Sequence, residues 1–296
     1  MTRTVFWIGS LVVLCFLLIA AVALGTVPLH PGVVASAVMG SGDPETLAIV
    51  RTLRMPRAVL ALLVGAALGI SGAALQGSLR NPLAEPYLLG VSGGAAVGAV
   101  TAVALGITAV GALPLFAFAG AALSVLTALA VSRALGGGRA DPRVLLMAGV
   151  IIGAFANAAI MILLAGAPPN TVRGALWWMM GSVSGAGWGE VRWLALYTLL
   201  AGGALLWRAR EIDILALGEE PAAGLGMDAR SAGQNVYLIA SFLAAATVAA
   251  AGLVGFVGLV VPHIVRAAGI RRHRALLAGS AVAGAALVIL ADIVAR

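Results

Sequence analysis

The chain has 296 residues, of which 62% are hydrophobic and only 10% are charged, and its mean hydropathy is +1.09. A soluble domain is about 25% charged, and a water-soluble protein of this size could not bury so much apolar surface. The composition therefore excludes an ordinary soluble enzyme and predicts a polytopic membrane protein. All 18 basic residues are arginine, and this chain therefore carries neither a phosphate-binding P-loop lysine nor a Schiff-base lysine. Its one cysteine, Cys15, excludes an internal disulfide.

Seven apolar runs are candidates for membrane spans, and short arginine-containing gaps separate them. In chain order the runs cover residues 5–27, 58–79, 88–132, 144–165, 191–207, 234–262 and 275–295. This placement of the arginines is typical of membrane topology, so we do not read the net charge of +7 as a nucleic-acid-binding surface.

Two of the runs are too long for one crossing. Run 88–132 has arginines on both flanks and a plausible hairpin between Gly106 and Pro114, so we expect it to cross twice. Run 234–262 also has arginines on both flanks but is too short for two full spans. It predicts one full helix and one short return helix, with the break at the glycines that follow Ala251.

The resulting fold is an all-α transmembrane bundle of about nine helices, which fills residues 1–296 as one domain. With a cytoplasmic N-terminus, 12 arginines lie inside and six outside, in agreement with the positive-inside rule. Arg51, Arg54 and Arg57 crowd together on the outer side against this bias. The chain stops directly after a span, and we expect a final helix to be missing from it.

Two kinds of glycine spacing suggest how the helices pack. Gly65 with Gly69 and Gly94 with Gly98 are small-xxx-small pairs, which let helices approach closely in lipid, although an Ala/Gly-rich chain also forms them by chance. A weak internal repeat is also present, because the spacing from glycine to proline in 72–82 recurs in 252–262. Such repeats are common in transporters.

The acidic residues fall in loops or at the ends of the predicted spans, and none lies mid-span, whereas ion-coupled carriers normally need an intramembrane carboxylate. If the chain transports, its energy should therefore come from a partner. Asn157 lies mid-span and is either a translocation-path residue or an ordinary interhelical hydrogen-bonding residue. His263 has no second histidine or cysteine near it in the sequence, which favours a structural role. We therefore expect no metal site and no catalytic residue.

The longest polar segment between spans is 208–233, on the cytoplasmic side. Leu217 and Leu225 are eight residues apart, which predicts one face of a short amphipathic helix with Glu219 and Glu220 on another face. Such a helix either docks on a cytosolic protein or lies at the membrane interface, and the pattern favours neither.

Several motifs in the chain resemble one known family. They are Arg54-Met-Pro-Arg57, the glycine-rich 64–72, Asn81-Pro-Leu-Ala-Glu-Pro86, 89–94, Leu146-Met-Ala-Gly149, Trp178-Met-Met-Gly181, Leu217-Gly-Glu-Glu220 with Leu225-Gly226, Gly255-Phe-Val-Gly-Leu-Val-Val-Pro-His-Ile-Val-Arg266 and Ala291-Asp-Ile-Val-Ala-Arg296. Because these motifs occur in order along nearly the whole chain, the sequence resembles the permease family of iron–siderophore, haem and cobalamin ABC importers.

The resemblance implies a type II importer of the inner membrane. In such an importer two identical permease subunits, each with ten helices, join two cytosolic ATPase subunits and a periplasmic binding protein. ATP and magnesium would bind to the ATPase, and this chain would hold no cofactor. The implied substrate is a metal chelate, with ferric siderophore placed first and haem and cobalamin close behind. A self-sufficient secondary carrier or channel, and a membrane scaffold, are the alternatives.

The resemblance also implies roles for individual residues. The segment that contacts the ATPase would comprise Leu217, Gly218, Glu219, Glu220, Ala222, Leu225 and Gly226. The residues that pair with glutamates of the binding protein would be Arg54, Arg57 and Arg296. Gate regions would lie in the 136–143 loop, with Gly136, Gly137 and Gly138, and on the outer side in the segment 166–188.

Overall fold

A computed structural model describes residues 3–25, 27–107, 109, 111–136 and 141–296, and this part of the chain is helical and contains no strand. The helices are α1 (Arg3–Ala23), α2 (Pro31–Met39), α3 (Pro44–Ala48), α4 (Met55–Ser78), α5 (Val91–Ala104), α6 (Ala112–Leu135), α7 (Pro142–Ala165), α8 (Pro169–Met179), α9 (Trp188–Tyr197), α10 (Gly203–Trp207), α11 (Ala209–Leu215), α12 (Glu219–Gly224), α13 (Ala229–Ala251), α14 (Val257–Ala267) and α15 (His273–Val294). π-Helical turns, Ile49–Arg54 and Thr198–Gly202, join α3 to α4 and α9 to α10.

The described helices confirm the predicted all-α bundle of membrane helices. Six helices are long and apolar enough to span a membrane: Thr4–Ala23, Pro44–Ser78, Ala112–Leu135, Arg143–Ala165, Ala229–Ala251 and His273–Val294. The continuous helical segment 188–207 and the two shorter apolar helices α5 and α14 bring the elements that run along the bundle to nine. The predicted hairpin of run 88–132 is formed by α5 and α6. The predicted short return helix at the end of run 234–262 is α14.

The bundle has two ends, which α4 connects. At one end, which we call the arginine end, Arg57 at the start of α4 meets Asp292 near the end of α15, and Arg296 meets the end of α1. At the other, the coupling end, Arg80 beyond the end of α4 meets Glu219 of α12. The 24 residues of α4 separate these ends by about 36 Å.

The helix α4 forms the centre of the bundle, and most of its residues are buried. A Cβ atom at Gly65 would collide with the backbone of Gly284, and one at Gly69 with the carbonyl oxygen of Ser280. These contacts lock α4 against α15, while Gly94 and Gly98 of α5 contact Gly120 and Phe116 of α6 in the same way. Both predicted small-xxx-small pairs are therefore helix–helix contacts.

The two segments of the weak internal repeat, 72–82 and 252–262, also contact each other. A Cβ at Gly72 would collide with the carbonyl of Gly258, so segments 72–82 and 252–262 pack against each other. Each contains one end of a helix: the first includes the end of α4 and the second the start of α14. The internal repeat thus marks the place where the end of α4 and the start of α14 come together in the bundle.

The close approach of α4 and α15 predicts a sharp difference between two glycine-to-alanine changes. Gly69→Ala should lower the free energy of unfolding by about 1–3 kcal/mol, because the new methyl group meets backbone that cannot move aside. Gly233→Ala in α13 is the matched control, since nothing lies within 4 Å of its added Cβ and alanine favours a helix. Thermal unfolding in detergent should show a lower midpoint for Gly69→Ala only. Equal midpoints would contradict the packing of these helices.

Candidate functional site: the two ends of the bundle

Arginine side chains close the C-terminal ends of helices at the arginine end. The last carbonyl groups of a helix have no partner within it, and a cation there is also favoured by the helix dipole. Arg54 donates from Nη1 to the carbonyls of Val22 and Ala23 at 2.9 Å, and Arg296 donates to those of Ala21 and Leu24 at 2.6 and 2.8 Å. The start of α4 and the end of the chain are thereby joined to α1.

The short outer helices α2 and α3 are capped by similar contacts. Arg51 donates to the carbonyls of Ala37 and Val38 at the end of α2, at 2.9 and 2.8 Å. Asp43 accepts the backbone N–H of Thr46 at 2.8 Å at the start of α3, and this hydrogen bond lowers the pKa of the Asp43 carboxyl. The outside arginine that the positive-inside rule did not explain, Arg51, thus has a structural partner.

One carboxylate holds the other two arginines of the predicted docking set. Asp292 receives two hydrogen bonds from Nε of Arg57, at 2.9 and 3.1 Å, and an ion pair from its Nη2 at 2.8 Å. Arg296 pairs with the other carboxylate oxygen at 2.6 Å. The Asp292 side chain is only 6% exposed, so these bonds form in a region with little water. Two arginines share this one aspartate, and Arg54 bonds only to backbone carbonyls, so the three arginines and Asp292 together carry a net positive charge.

The three predicted docking residues lie at one end of the bundle, and each of them already has partners inside the chain. The side chains of Arg57 and Arg296 are 25% and 12% exposed, so they present part of the guanidinium group and not a free, extended cation. Their role in binding another protein stays a prediction.

We expect Asp292→Asn to destabilise the arginine end, because breaking a buried ion pair leaves charges without their partner. The loss should be about 3–5 kcal/mol, since both Arg57 and Arg296 depend on this carboxylate. Glu45→Gln is the control, because Glu45 is an exposed acid at the same end. Thermal unfolding of the two purified variants measures the difference. If both unfold at the wild-type temperature, the cluster does not stabilise the fold.

At the coupling end, the structure corrects the predicted amphipathic helix. The helix α12 covers only Glu219–Gly224, and Leu217 and Leu225 lie outside it on either side. The reason is Gly218, whose φ of +119° turns the chain just before α12. The two leucines therefore do not share a helical face. Both are nevertheless exposed, by 64% and 63%, whereas Ala222 in the middle of α12 is buried.

Ion pairs anchor α11 and α12 to the membrane helices. Glu219 lies 3.9 Å from Arg80, just after α4, and 3.5 Å from Arg230 at the start of α13. Asp213 of α11 accepts the backbone N–H and Nδ1 of His273, at 2.9 and 2.7 Å, at the start of α15. The His273 ring in turn lies against Gly77, where any Cβ would collide with it. The segment is thus attached to α4, α13 and α15.

An open cleft of about 730 Å³ lies beside α12. Its charged lining residues are Arg80, Asp141, Arg143, Glu219, Glu220 and Arg230. The cleft and the two exposed leucines make the coupling end a surface with both apolar and charged contacts to offer.

The residues proposed for the translocation path and its gates are not gathered at one place. Asn157 lies on α7 with its side chain exposed, among the exposed apolar residues Phe155, Met161 and Ile162. Gly136 ends α6 at the coupling end, and Gly137 and Gly138 lie outside the described residues. The segment 166–188 contains α8 and belongs to the arginine end, where Trp188 donates from Nε1 to the carbonyl of Arg51 at 2.9 Å.

Sequence analysis missed how deep the segment 79–90 lies. Glu85 and the 3₁₀ turn Pro86–Leu89 follow α4, but the Pro86 ring lies 3.0 Å from the position of a Cβ on Gly258, and Gly258 packs on Leu68 and Gly72 of α4. Those two residues lie six to ten positions before Ser78, which places them about 9–15 Å inside the helix end. The carboxylate of Glu85 therefore lies at this depth in the bundle, although the sequence places it in a segment between two spans. The only signal was the Asn-Pro-Leu-Ala-Glu-Pro motif itself.

Comparison with known proteins identifies this arrangement of helices. The model of the FecCD transport family matches residues 12–296, nearly the whole chain. The chain belongs to the FecCD transport family. Two curated relatives are the cobalamin import system permease BtuC of Halobacterium salinarum, 43% identical over 86% of this chain and 69% of that protein, and the vitamin B12 import system permease BtuC of Escherichia coli, 42% identical over 86% and 77%. The ABC transporter permease YvrB of Bacillus subtilis, of uncharacterised function, is 40% identical over 87% and 74%.

A solved structure shares the fold of this FecCD-family chain. It is an inward-facing conformation of a protein assigned as a metal-chelate type ABC transporter, with a TM-score of 0.85, 27% identity, and coverage of 98% of this chain and 89% of that one. The resemblance found in the sequence is therefore confirmed. The chain is a multi-pass membrane protein and a permease of the ABC importer type.

Proposed function

We propose that this chain is the membrane permease subunit of an ATP-driven importer that carries cobalamin or a closely related metal chelate inward. The observation that supports the substrate is the similarity to two permeases named for cobalamin or vitamin B12 import, at 43% and 42% identity. Sequence analysis placed ferric siderophore first and cobalamin after it, and the relatives favour the reverse order. Haem and ferric siderophores remain the substrates to test against it.

The proposed assembly has two copies of this chain in the inner membrane, with the N-terminus of each in the cytoplasm. The exposed face of α7, with Asn157 among apolar residues, is the surface we assign to the second copy and to the translocation path. Each chain would form one transmembrane domain over 1–296, and the loop 208–233 would be its contact with the ATPase. ATP and magnesium would bind to that partner.

The coupling end supports the contact with an ATPase. Leu217 and Leu225 are large apolar side chains that neither a neighbouring helix nor the end of a described span covers. The ion pairs of Glu219 and Asp213 hold the segment that carries these leucines against α4, α13 and α15. A protein that covers the leucines can therefore pass a displacement on to the membrane helices.

The arginine end supports a contact with a binding protein. Arg57 and Arg296 share the Asp292 carboxylate while Arg54 bonds to carbonyls of α1, and the remaining positive charge would attract an acidic surface and steer its approach. The partly exposed guanidinium groups of Arg57 and Arg296 are available for further hydrogen bonds at their outer edges.

Transport measured in proteoliposomes tests the proposed function directly. Purified permease is reconstituted with its ATPase and binding protein, and uptake of labelled cyanocobalamin, a ferric hydroxamate siderophore and haem is compared with and without ATP. We expect ATP-dependent uptake of cyanocobalamin above the other two. Uptake of all three without the ATPase would support a self-sufficient carrier or channel, and preferred uptake of the siderophore would restore the order given by the sequence.

A second prediction concerns Leu217 and Leu225. Leu217→Asp and Leu225→Asp should each weaken assembly with the ATPase, because each removes an apolar contact of about 1.5–3 kcal/mol and buries a charge instead. The expected loss of affinity is therefore at least about tenfold for each variant. Leu217→Met and Leu225→Met keep the apolar contact and serve as controls.

Co-purification of permease and ATPase, together with substrate-stimulated ATP hydrolysis, measures this loss. The aspartate variants should remain folded, since both side chains are exposed in the isolated chain. Full stimulation of hydrolysis in the aspartate variants would show that the leucines do not contact the ATPase.

A further inference from the structure

The chain between α13 and α14 is non-helical over residues 252–256 and runs back along the bundle. The hydroxyl of Ser71 donates to the carbonyl of Ala240, which fixes the level of α13 relative to α4. Ala251 lies 11 residues, or about 16 Å, beyond Ala240 toward the arginine end. Gly258, at the start of α14, lies back at the level of Leu68 and Gly72. The break thus covers roughly 15 Å of the bundle's thickness.

The side of this break nearer the arginine end, at Ala251 and Gly252, contacts the residues that follow α8. The backbone N–H of Ser182 donates to the carbonyl of Ala251 at 2.8 Å. Gly181 and Gly252 both have a positive φ, +72° and +69°, and a Cβ on Gly181 would lie 2.7 Å from the carbonyl oxygen of Leu253. Only glycine allows the two backbones to come this close in this conformation.

The side of the break nearer the coupling end, at Phe256, contacts the segment 79–90. The carboxylate of Glu85 accepts the backbone N–H of Phe256 at 3.0 Å, and the ring of Pro86 lies 3.0 Å from the position of a Cβ on Gly258. Phe256 has a φ of +67°, which is unusual for a bulky residue, and its side chain is 71% exposed. Packing of the Phe256 side chain therefore does not explain this strained backbone, which is held by hydrogen bonds of its N–H to Glu85 and of its carbonyl to the N–H of Val260.

Glu85 is suited to this position by its charge as well as by its hydrogen bond. The helix α14 starts inside the bundle, where its first N–H groups lack partners in the helix, and no side chain of the α14 segment caps them. A negative charge beside a helix N-terminus is favourable. The carboxylate of Glu85 comes from a segment 171 residues away in the sequence, so the bond joins two separate parts of the chain.

We propose that Glu85 is a positioning residue for transport: its hydrogen bond to Phe256 ties the segment 79–90 to the α13–α14 break, and the break ties that segment to the end of α8. A displacement of α4 and the segment 79–90 at the coupling end is then transmitted to α8 at the arginine end. The inference rests on the proposed transport function, because it assigns Glu85 a part in the movement that drives transport.

Hydrogen–deuterium exchange on the isolated permease in nanodiscs tests the tie without any transport assay. In Glu85→Ala, exchange should become at least tenfold faster in peptides that cover 252–257, and faster also in peptides that cover 178–183. Glu85→Gln should exchange like the wild type, because its amide oxygen still accepts the Phe256 N–H. Glu45→Ala, the loss of an exposed acid elsewhere, is the matched control. Unchanged exchange at 252–257 in Glu85→Ala would show that the Glu85–Phe256 hydrogen bond does not hold the break in place.

Transport per ATP hydrolysed, in the reconstituted importer, tests the role in transport. We expect Glu85→Ala to hydrolyse ATP while uptake per ATP falls at least fivefold, and Glu85→Gln to restore most of the uptake. If Glu85→Ala does not fold, Glu85→Gln remains decisive: wild-type exchange with lost transport would show that the hydrogen bond is not what transport requires. Normal uptake per ATP in Glu85→Ala, despite faster exchange, would overturn the positioning role.

Failure of the proposed function gives a different result. If the wild-type importer takes up none of the three substrates, the substrate assignment is wrong, and the exchange data still decide whether Glu85 ties the two segments together.

Discussion

The contact between α4 and the backbones of its neighbours is the constraint on which the rest of the structure depends. In lipid, apolar side chains gain little from meeting each other, so helices associate by close packing of small residues. Gly65, Gly69 and Gly72 allow carbonyl groups of α15 and α14 to lie directly against α4. These contacts fix where Arg57 meets Asp292 at one end and where Gly77 meets His273 at the other. Both ends of the bundle are therefore positioned by one row of glycines.

A second constraint follows from the lack of water in the hydrocarbon region. Non-helical backbone is tolerated there only where protein or a polar cavity satisfies it. The segment 79–90 and the break 252–256 meet this condition by contacting each other and the ends of α4 and α8. At the arginine end, where helices stop, guanidinium groups satisfy the carbonyls of α1 and α2. Several arginines at the arginine end thus stabilise the fold itself, whatever else they bind.

Much of the fold could be predicted from the sequence, because it depends on local properties. The length of the apolar runs and the placement of the arginines predicted the all-α membrane bundle, the hairpin of α5 and α6, and the short return helix α14. The contacts of Asp292 could not be predicted, because Arg57 lies 235 residues away and the chain offers many other acids. The extent of α12 depends on the positive φ of Gly218, which no periodicity reveals. Glu85 follows a helix and precedes a proline, so its depth in the bundle is decided by tertiary packing alone.

The distribution of rigid and separable contacts indicates where the molecule can move. The α4–α15 contact joins backbone to backbone over several turns, so these two helices can shift only together. The breaks at 79–90 and 252–256 contact their neighbours over only a few residues, through hydrogen bonds between residues far apart in the sequence and the close glycine contacts at Gly181 and Gly252. A hydrogen bond of this kind can be broken and re-formed at far smaller cost than a close-packed helix interface can be opened. The contacts that can separate at the smallest cost are therefore the hydrogen bonds at the two breaks, which meet at Glu85 and Phe256, whereas α4 and α15 form the closely packed part of the bundle.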